Sequence, residues 1–198
     1  MGKLIRLARP CDANEIAAIY APFVTGSAAS FELIPPDGKE FEKRIDEKLA
    51  KWPWLVCVIN NRIAGYAYAG EYRSRAAYQW SVEASVYIHP EFHRRGIGRA
   101  PYTSLFGMLA RQGFYTGYAG ITQPNEASTR FHQSMGFEYI GVYRAAGYKH
   151  GQWRDVSWWY RPLQDKYDHP PKPVFAPSEL IDDERWMNAM NSGCKLIR

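Results

Sequence analysis

The chain has 198 residues, 46% of them hydrophobic and 23% charged, with a formal net charge of +5. That balance fits a globular protein with room for one domain and an appendage. No apolar run approaches the roughly 18 residues that a membrane helix needs. The first ten residues, MGKLIRLARP, lack the apolar core of a secretory signal, and Arg6 stands where myristoylation after Gly2 would need Ser or Thr. The three cysteines, Cys11, Cys57 and Cys194, have no metal or redox spacing, so a reduced, cytoplasmic protein without a metal is expected. A basic balance suits nucleic acid or a phosphorylated small molecule.

In chain order, KLIRLA (3–8) alternates and predicts a first strand. Asp12 and Glu15 have the spacing of a capping box for a helix with the apolar run IAAIYAPFV. SAASFELIPP reads as a loop and GKEFEKRIDEKLAK as a charged amphipathic helix. WLVCVIN and IAGYAYAG are strands of a hairpin around Asn60, Asn61 and Arg62. In the next strand, SVEASVYIH, Val82, Ala84, Val86 and Ile88 point one way. Ser81, Glu83, Ser85 and Tyr87 point the other, which places a carboxylate over a pocket if the strand is central. After the turn HRRGIGR comes a helix over PYTSLFGMLARQG, with Pro101 in its first turn and an irregular start expected at Ala100. FYTGYAGIT is a strand. NEASTRFHQSMG is a helix that starts near Asn125 and stops at Gly136. Two long strands flank KHGQW, and after Leu163 the composition shifts to the proline-rich HPPKPVFAP. The order describes a mixed α/β domain over residues 1–165. Residues 166–198 read as an extension, not a separate domain.

The chemistry concentrates in Arg94, Arg95, Gly96, Ile97, Gly98 and Arg99, between a strand and a helix. Glycines let backbone N–H groups approach an anion, and the following helix start adds a positive dipole end. A nucleotide P-loop is excluded, because Arg99 and Ala100 stand where Lys and Ser/Thr would be. A dinucleotide fingerprint is excluded by Pro101 at its third glycine. His89 and His93 have zinc-helix spacing, but Pro90 argues for a turn.

With Asn125, Ser128 and MGF downstream, the arrangement resembles the GCN5-related N-acetyltransferase (GNAT) family. WPWLV, AGYAYAG, YQWSVEASVYIHPEFHRRGIG, PNEASTRFHQSMGF, RAAGYKHGQWRDVSWW and PPKPV resemble its phosphinothricin N-acetyltransferase branch, over roughly residues 4–177. The resemblance implies the GNAT fold, a central, mostly antiparallel twisted sheet flanked by helices. It implies acetyl transfer from acetyl-CoA to the α-amino group of phosphinothricin or an analogue such as methionine sulfoximine. By the same likeness Glu83 is the general base, with His132 as a secondary acid/base. Val86, Tyr87 and Ile88 hold the pantetheine arm, residues 94–99 the pyrophosphate, and Asn125 and Ser128 further cofactor contacts. Arg73, Ser74 and Arg75 in EYRSRAAY, with Tyr78 and Phe31, match substrate positions. A homodimer is implied, and neither nucleic acid nor a membrane. Other acceptors (a protein N-terminus, another small amine) and a non-catalytic acyl-CoA-binding module remain open at this point.

Overall fold

The computed structural model describes residues 2–93, 95–165 and 171–197. In chain order the elements are β1 (Lys3–Leu7), α1 (Ala13–Thr25), α2 (Gly38–Leu49), β2 (Trp54–Ile59), β3 (Arg62–Glu71) and β4 (Ser81–Ile88). They continue with α3 (Arg99–Gln112), β5 (Thr116–Thr122), α4 (Glu126–Ser134), β6 (Glu138–Lys149), β7 (Gln152–Pro162) and α5 (Glu184–Ser192). The order expected from hydrophobic periodicity is the order observed.

The strands form one seven-stranded sheet, β1-β2-β3-β4-β5-β7-β6. Every neighbouring pair is antiparallel except β4 with β5, which is parallel. Alternation along the strands sorts side chains to two faces. On one face Leu55, Cys57, Ala67, Ala69, Val82 and Ala84 pack under α3 and α5, with Tyr102, Leu105, Met108 and Trp186. On the other, Trp54, Val56 and Tyr66 pack under α1 and α2, with Ile16, Ile19, Phe41 and Ile45. The β2–β3 hairpin turns at Asn60 and Asn61, with φ of 51° and 62°. Asparagine tolerates that left-handed backbone, and two such residues in succession suit a tight hairpin.

Two local expectations are corrected. Asp12 and Glu15 form no capping box. Asp12 instead receives two hydrogen bonds from the Arg6 guanidinium, at 2.6 and 2.8 Å, and one from the Arg9 N–H at 2.8 Å. Glu15 accepts from the Ile63 N–H at 3.0 Å. A buried, two-pronged guanidinium contact outcompetes a local cap. The start of α3 is not broken at Ala100 either: the helix begins at Arg99 and carries Pro101 in its first turn.

Candidate active site

The site originates in the one parallel pair. β4 and β5 share only three rungs, Ser81 with Thr116, Val82 with Gly117 and Glu83 with Tyr118. Beyond Glu83 the strands separate, although β4 stays paired to β3 as far as Ile88 and β5 to β7 as far as Thr122. A cavity of about 660 Å³ opens in the fork. Ala84–Ile88 form one wall and Ala119–Thr122 the other; Gly96–Arg99 close one end, and Asn125, Ser128, Phe131 and His132 the side of α4. Phe23 and Ala29 reach it from the opposite face. The structure therefore brings together Val86, Tyr87, Ile88, Gly96, Ile97, Gly98, Arg99, Asn125, Ser128 and His132, as the sequence suggested.

The glycine turn fits an anion. Gly96 adopts φ +72°, where a side chain is strained, and open space faces the position a Cβ would occupy. A Cβ on Gly98 would lie 3.1 Å from the Phe131 ring, against the cavity wall. Arg99 is exposed and donates to the Ser134 hydroxyl and carbonyl at 3.1 and 3.3 Å, which ties the start of α3 to the end of α4. Arg95 is exposed, its guanidinium 5.7 Å from the centre of the Phe92 ring. Arg94 lies outside the described residues.

Glu83 sits at the apex of the fork, half-buried, one residue before the cavity wall begins. Burial pushes its carboxyl above the ordinary glutamate range, and the Lys48 ammonium pulls it back. Lys48 is itself pushed down by burial and held up by Glu83. Its ammonium stands 5.3 Å from the centre of the Tyr68 ring and 5.7 Å from that of Trp52. Room for it exists because the residue paired with Glu83 on β3 is Gly70. A Cβ there would come within 2.6 Å of the ammonium.

His132 is buried, and both its nitrogens are engaged. Nδ1 lies 2.9 Å from the Ser128 carbonyl and 3.3 Å from the Ser128 hydroxyl. A carbonyl only accepts, so Nδ1 carries the proton. Nε2 then accepts from the Tyr102 hydroxyl at 3.2 Å. Burial lowers the imidazole below its ordinary value, and the Ser128 bond partly compensates. Asn125 caps α4 by accepting from the Ser128 N–H at 3.1 Å, so the helix-cap role and a position on the cavity coexist in one residue.

The other positions matched by resemblance lie outside the cavity lining. Tyr118, the rung partner of Glu83, stacks on Tyr72 with ring centres 4.0 Å apart. Arg73 lies over Tyr72 and Tyr78 and donates to the Tyr143 hydroxyl at 3.2 Å. Ser74 and Arg75 are exposed beside it. Phe31 covers Gly147 of β6, where a Cβ would approach its ring to 2.5 Å. Its loop is braced by Lys149 donating to the Ser30 carbonyl at 2.7 Å and by the Tyr20 hydroxyl 2.6 Å from that of Ser30. Sequence reasoning missed Tyr102 and Lys48. Tyr102 meets His132 across thirty positions, and Lys48 is one of several lysines on a charged helix, so neither carried a local signal. Among the described residues, no cluster of His, Cys, Asp and Glu could hold a metal ion, and no helix is long and apolar enough to cross a membrane.

Comparison with known proteins agrees with this geometry. The acetyltransferase (GNAT) domain family matches residues 5–158. Phosphinothricin N-acetyltransferase of Streptomyces viridochromogenes is 36% identical over 175 residues, 87% of this chain and 94% of that protein. Its counterpart in Streptomyces coelicolor is 48% identical over 156 residues, 77% of this chain and 91% of that protein. The crystal structure of a phosphinothricin acetyltransferase from Sinorhizobium meliloti in complex with acetyl-CoA superposes with a TM-score of 0.83 at 33% identity, covering 89% of this chain and 97% of that one. With the glycine turn, the forked parallel pair and a match over more than two thirds of its length, this chain belongs to the GNAT family of acetyltransferases.

Proposed function

We propose that the protein transfers acetyl from acetyl-CoA to the α-amino group of phosphinothricin or a close amino acid analogue such as methionine sulfoximine. The observation that carries the reading is the fork between β4 and β5, closed at one end by the glycine turn. An open strand edge accepts an extended, amide-bearing chain as a further strand would, and Val86, Tyr87 and Ile88 supply that edge for the pantetheine arm. Gly96, Ile97 and Gly98, at the N-terminus of α3, suit the pyrophosphate, with Arg95 and Arg99 adding charge. Arg94 shares this role in the sequence reading. Asn125 and Ser128 complete the α4 side. Bound there, acetyl-CoA supplies an activated thioester carbonyl.

The chain's own residues manage protons and charge. An ammonium group has no free electron pair, so the acceptor must first lose a proton. Glu83 takes it, directly or through one water, because its raised pKa brings it toward the working range of a general base. The Lys48 ammonium opposes that shift and favours the ionised carboxylate. Backbone N–H groups on the open edge of β4 stabilise negative charge developing on the carbonyl oxygen. His132, neutral and accepting from Tyr102, stands on the cofactor side and takes up a proton through that hydroxyl, which passes its own proton to Nε2 as it receives one from the reacting amine. Arg73 and Arg75 match the acidic groups of the acceptor, with Ser74, Tyr78 and Phe31 as the further substrate positions that the resemblance supplies. A guanidinium fork suits carboxylate and phosphinate oxygens.

We also read the protein as a homodimer. β6 is an edge strand, and Tyr139, Ile140, Val142 and Tyr143 stand exposed along it. Such an edge needs a cover in a well-behaved protein. Turnover measured as thiol release from acetyl-CoA, over a panel of phosphinothricin, methionine sulfoximine, polyamines and peptide N-termini, tests the assignment. Selective turnover of the acidic analogues is expected. Thiol release with peptides or polyamines alone overturns it.

A further inference from the structure

Residues 171–197 have no part in the site just described, yet they follow α3 from end to end. At the C-terminal end of α3, the Gln112 side chain donates to the Phe175 carbonyl at 2.7 Å, and the Phe175 N–H donates back to the Gln112 carbonyl at 2.9 Å. One residue earlier, Arg111 makes a two-pronged contact with Asp183, the N-cap of α5, at 2.6 and 3.1 Å. In mid-helix, Gly107 faces Ala189, and a Cβ on Gly107 would lie 3.1 Å from the alanine methyl. At the N-terminal end, the buried Ser104 hydroxyl donates to the Met190 carbonyl at 2.5 Å and accepts from the Gly193 N–H at 3.1 Å.

Ala100, Ser104, Gly107 and Arg111 are spaced 4, 3 and 4 apart, so they share one face of α3. That face meets α5, with Trp186 and Met190 buried in the shared core. The tightest point is at the cofactor end. A Cβ added to Gly193 would come within 2.0 Å of the Ala100 carbonyl oxygen and 2.7 Å of the Ser104 hydroxyl. Ala100 is two residues after Gly98 and one after Arg99, both of which line the cavity. Only backbone without a side chain fits between α5 and the first turn of α3.

We infer that the C-terminal strap, through Gly193 and Ser104, is a positioning device for the anion-binding turn and thereby sets affinity for the pyrophosphate of acetyl-CoA. The turn 95–98 opens directly into α3 and shares its core through the buried Ile97, so its placement follows that of the helix. A hydrogen-bonding geometry is lost with displacements well under an ångström. The strap fixes α3 at the end where that precision is needed, and the family match stops at residue 158, before the strap begins. Gly193 and Ser104 are positioning residues. Neither lines the cavity.

The inference rests on residues 95–99 as the pyrophosphate site, and the test separates the two. Full-length Gly193→Ala, Ser104→Ala, Arg111→Ala and Gly98→Val are compared with the unaltered protein by coenzyme A titration, by thermal melting, and by kcat/KM for acetyl-CoA and for acetyl-pantetheine, which lacks the pyrophosphate. Gly193→Ala and Ser104→Ala should each weaken coenzyme A binding about tenfold, equivalent to about 1.4 kcal/mol, while acetyl-pantetheine is used as before. Arg111→Ala, which loosens the strap at its far end, should lower the melting temperature and leave coenzyme A affinity intact. Ser104→Ala adds no bulk and serves if Gly193→Ala fails to fold. Unchanged coenzyme A affinity in a folded Ser104→Ala variant overturns the inference. So does equal weakening by Arg111→Ala, since the strap would then act only through global stability. If Gly98→Val leaves coenzyme A binding intact, the site reading itself fails, whatever the strap variants do.

Discussion

Tyr102→Phe isolates one hydrogen bond at the back of the site. The ring is fully buried among Phe106, Phe131 and Phe137, with centres 4.7, 5.6 and 6.3 Å away, and phenylalanine keeps that packing. What disappears is the hydroxyl 3.2 Å from His132 Nε2. Nδ1 is committed to the Ser128 carbonyl, so Nε2 is left as a buried acceptor. Leaving such a group unsatisfied costs about 1–3 kcal/mol. For a chain of this size each kcal/mol lowers the melting temperature by about 2–4 °C, which gives a fall of about 2–12 °C.

The partner change reverses the sign. In a His132→Leu background the Tyr102 hydroxyl is itself the buried orphan, and its removal becomes neutral or stabilising. The double-mutant cycle should therefore show a coupling of about 0.5–3 kcal/mol between the two positions. Calorimetric melting of the four proteins at neutral pH measures it. An equal fall in both backgrounds, or none in either, refutes the bond as an energetic link and with it the claim that Tyr102 fixes the imidazole.

Three further outcomes are expected. Glu83→Gln should lower kcat on the order of 10²-fold with coenzyme A binding retained. In the unaltered enzyme kcat/KM should fall with acidification through a pKa above the usual glutamate range, since the base works only when ionised; near-normal turnover of the variant removes Glu83 from the role. His132→Asn should flatten the acid side of the stability profile. The folded imidazole binds its proton less readily than the unfolded one, so stability is present above the unfolded pKa of about 6.5 and is lost as pH falls from there through the folded value; an unaltered slope between pH 7 and 5 in urea titrations contradicts this. Arg73→Ala should raise KM for an acidic acceptor roughly tenfold, as loss of a charge-assisted contact predicts, and leave KM for acetyl-CoA in place. The opposite split assigns the arginine to the cofactor.

Much of the fold was legible because its signals are local. Val82, Ala84, Val86 and Ile88 alternate with Glu83, Ser85 and Tyr87, and a two-sided sheet makes that alternation obligatory. Asn60 and Asn61 announce a hairpin because few residues accept positive φ. Asp12 misled for the same local reason: its cap spacing was real, but Arg6 reached it from β1. The face of α3 toward α5 could not be read as buried. A helix packed on both sides has no clean polar stripe, and nine of its fourteen residues are buried. The neighbourhood of Glu83 depends on register. Only when Gly70 pairs opposite it does the space for Lys48 exist, and no spacing within the chain expresses that.

The chemistry then follows from one topological fact. A parallel pair inside an otherwise antiparallel sheet must be joined by a crossover, here α3. The crossover returns the chain beside β4 for only three rungs. Past Glu83 two strand edges face each other without pairing, in the middle of the sheet, where unsatisfied backbone groups are expensive. In the proposed binding mode, a ligand that carries amides along an extended chain satisfies them, and a phosphate at its far end meets the helix that made the crossover. The acidic residue at the fork's apex is the last one held by both strands, so its carboxylate is fixed where the gap begins. The proposed base, the open edge and the proposed anion turn are thus three consequences of the same short parallel ladder. A side chain introduced at Gly70 would disturb the first of them by displacing Lys48 and leave the other two in place.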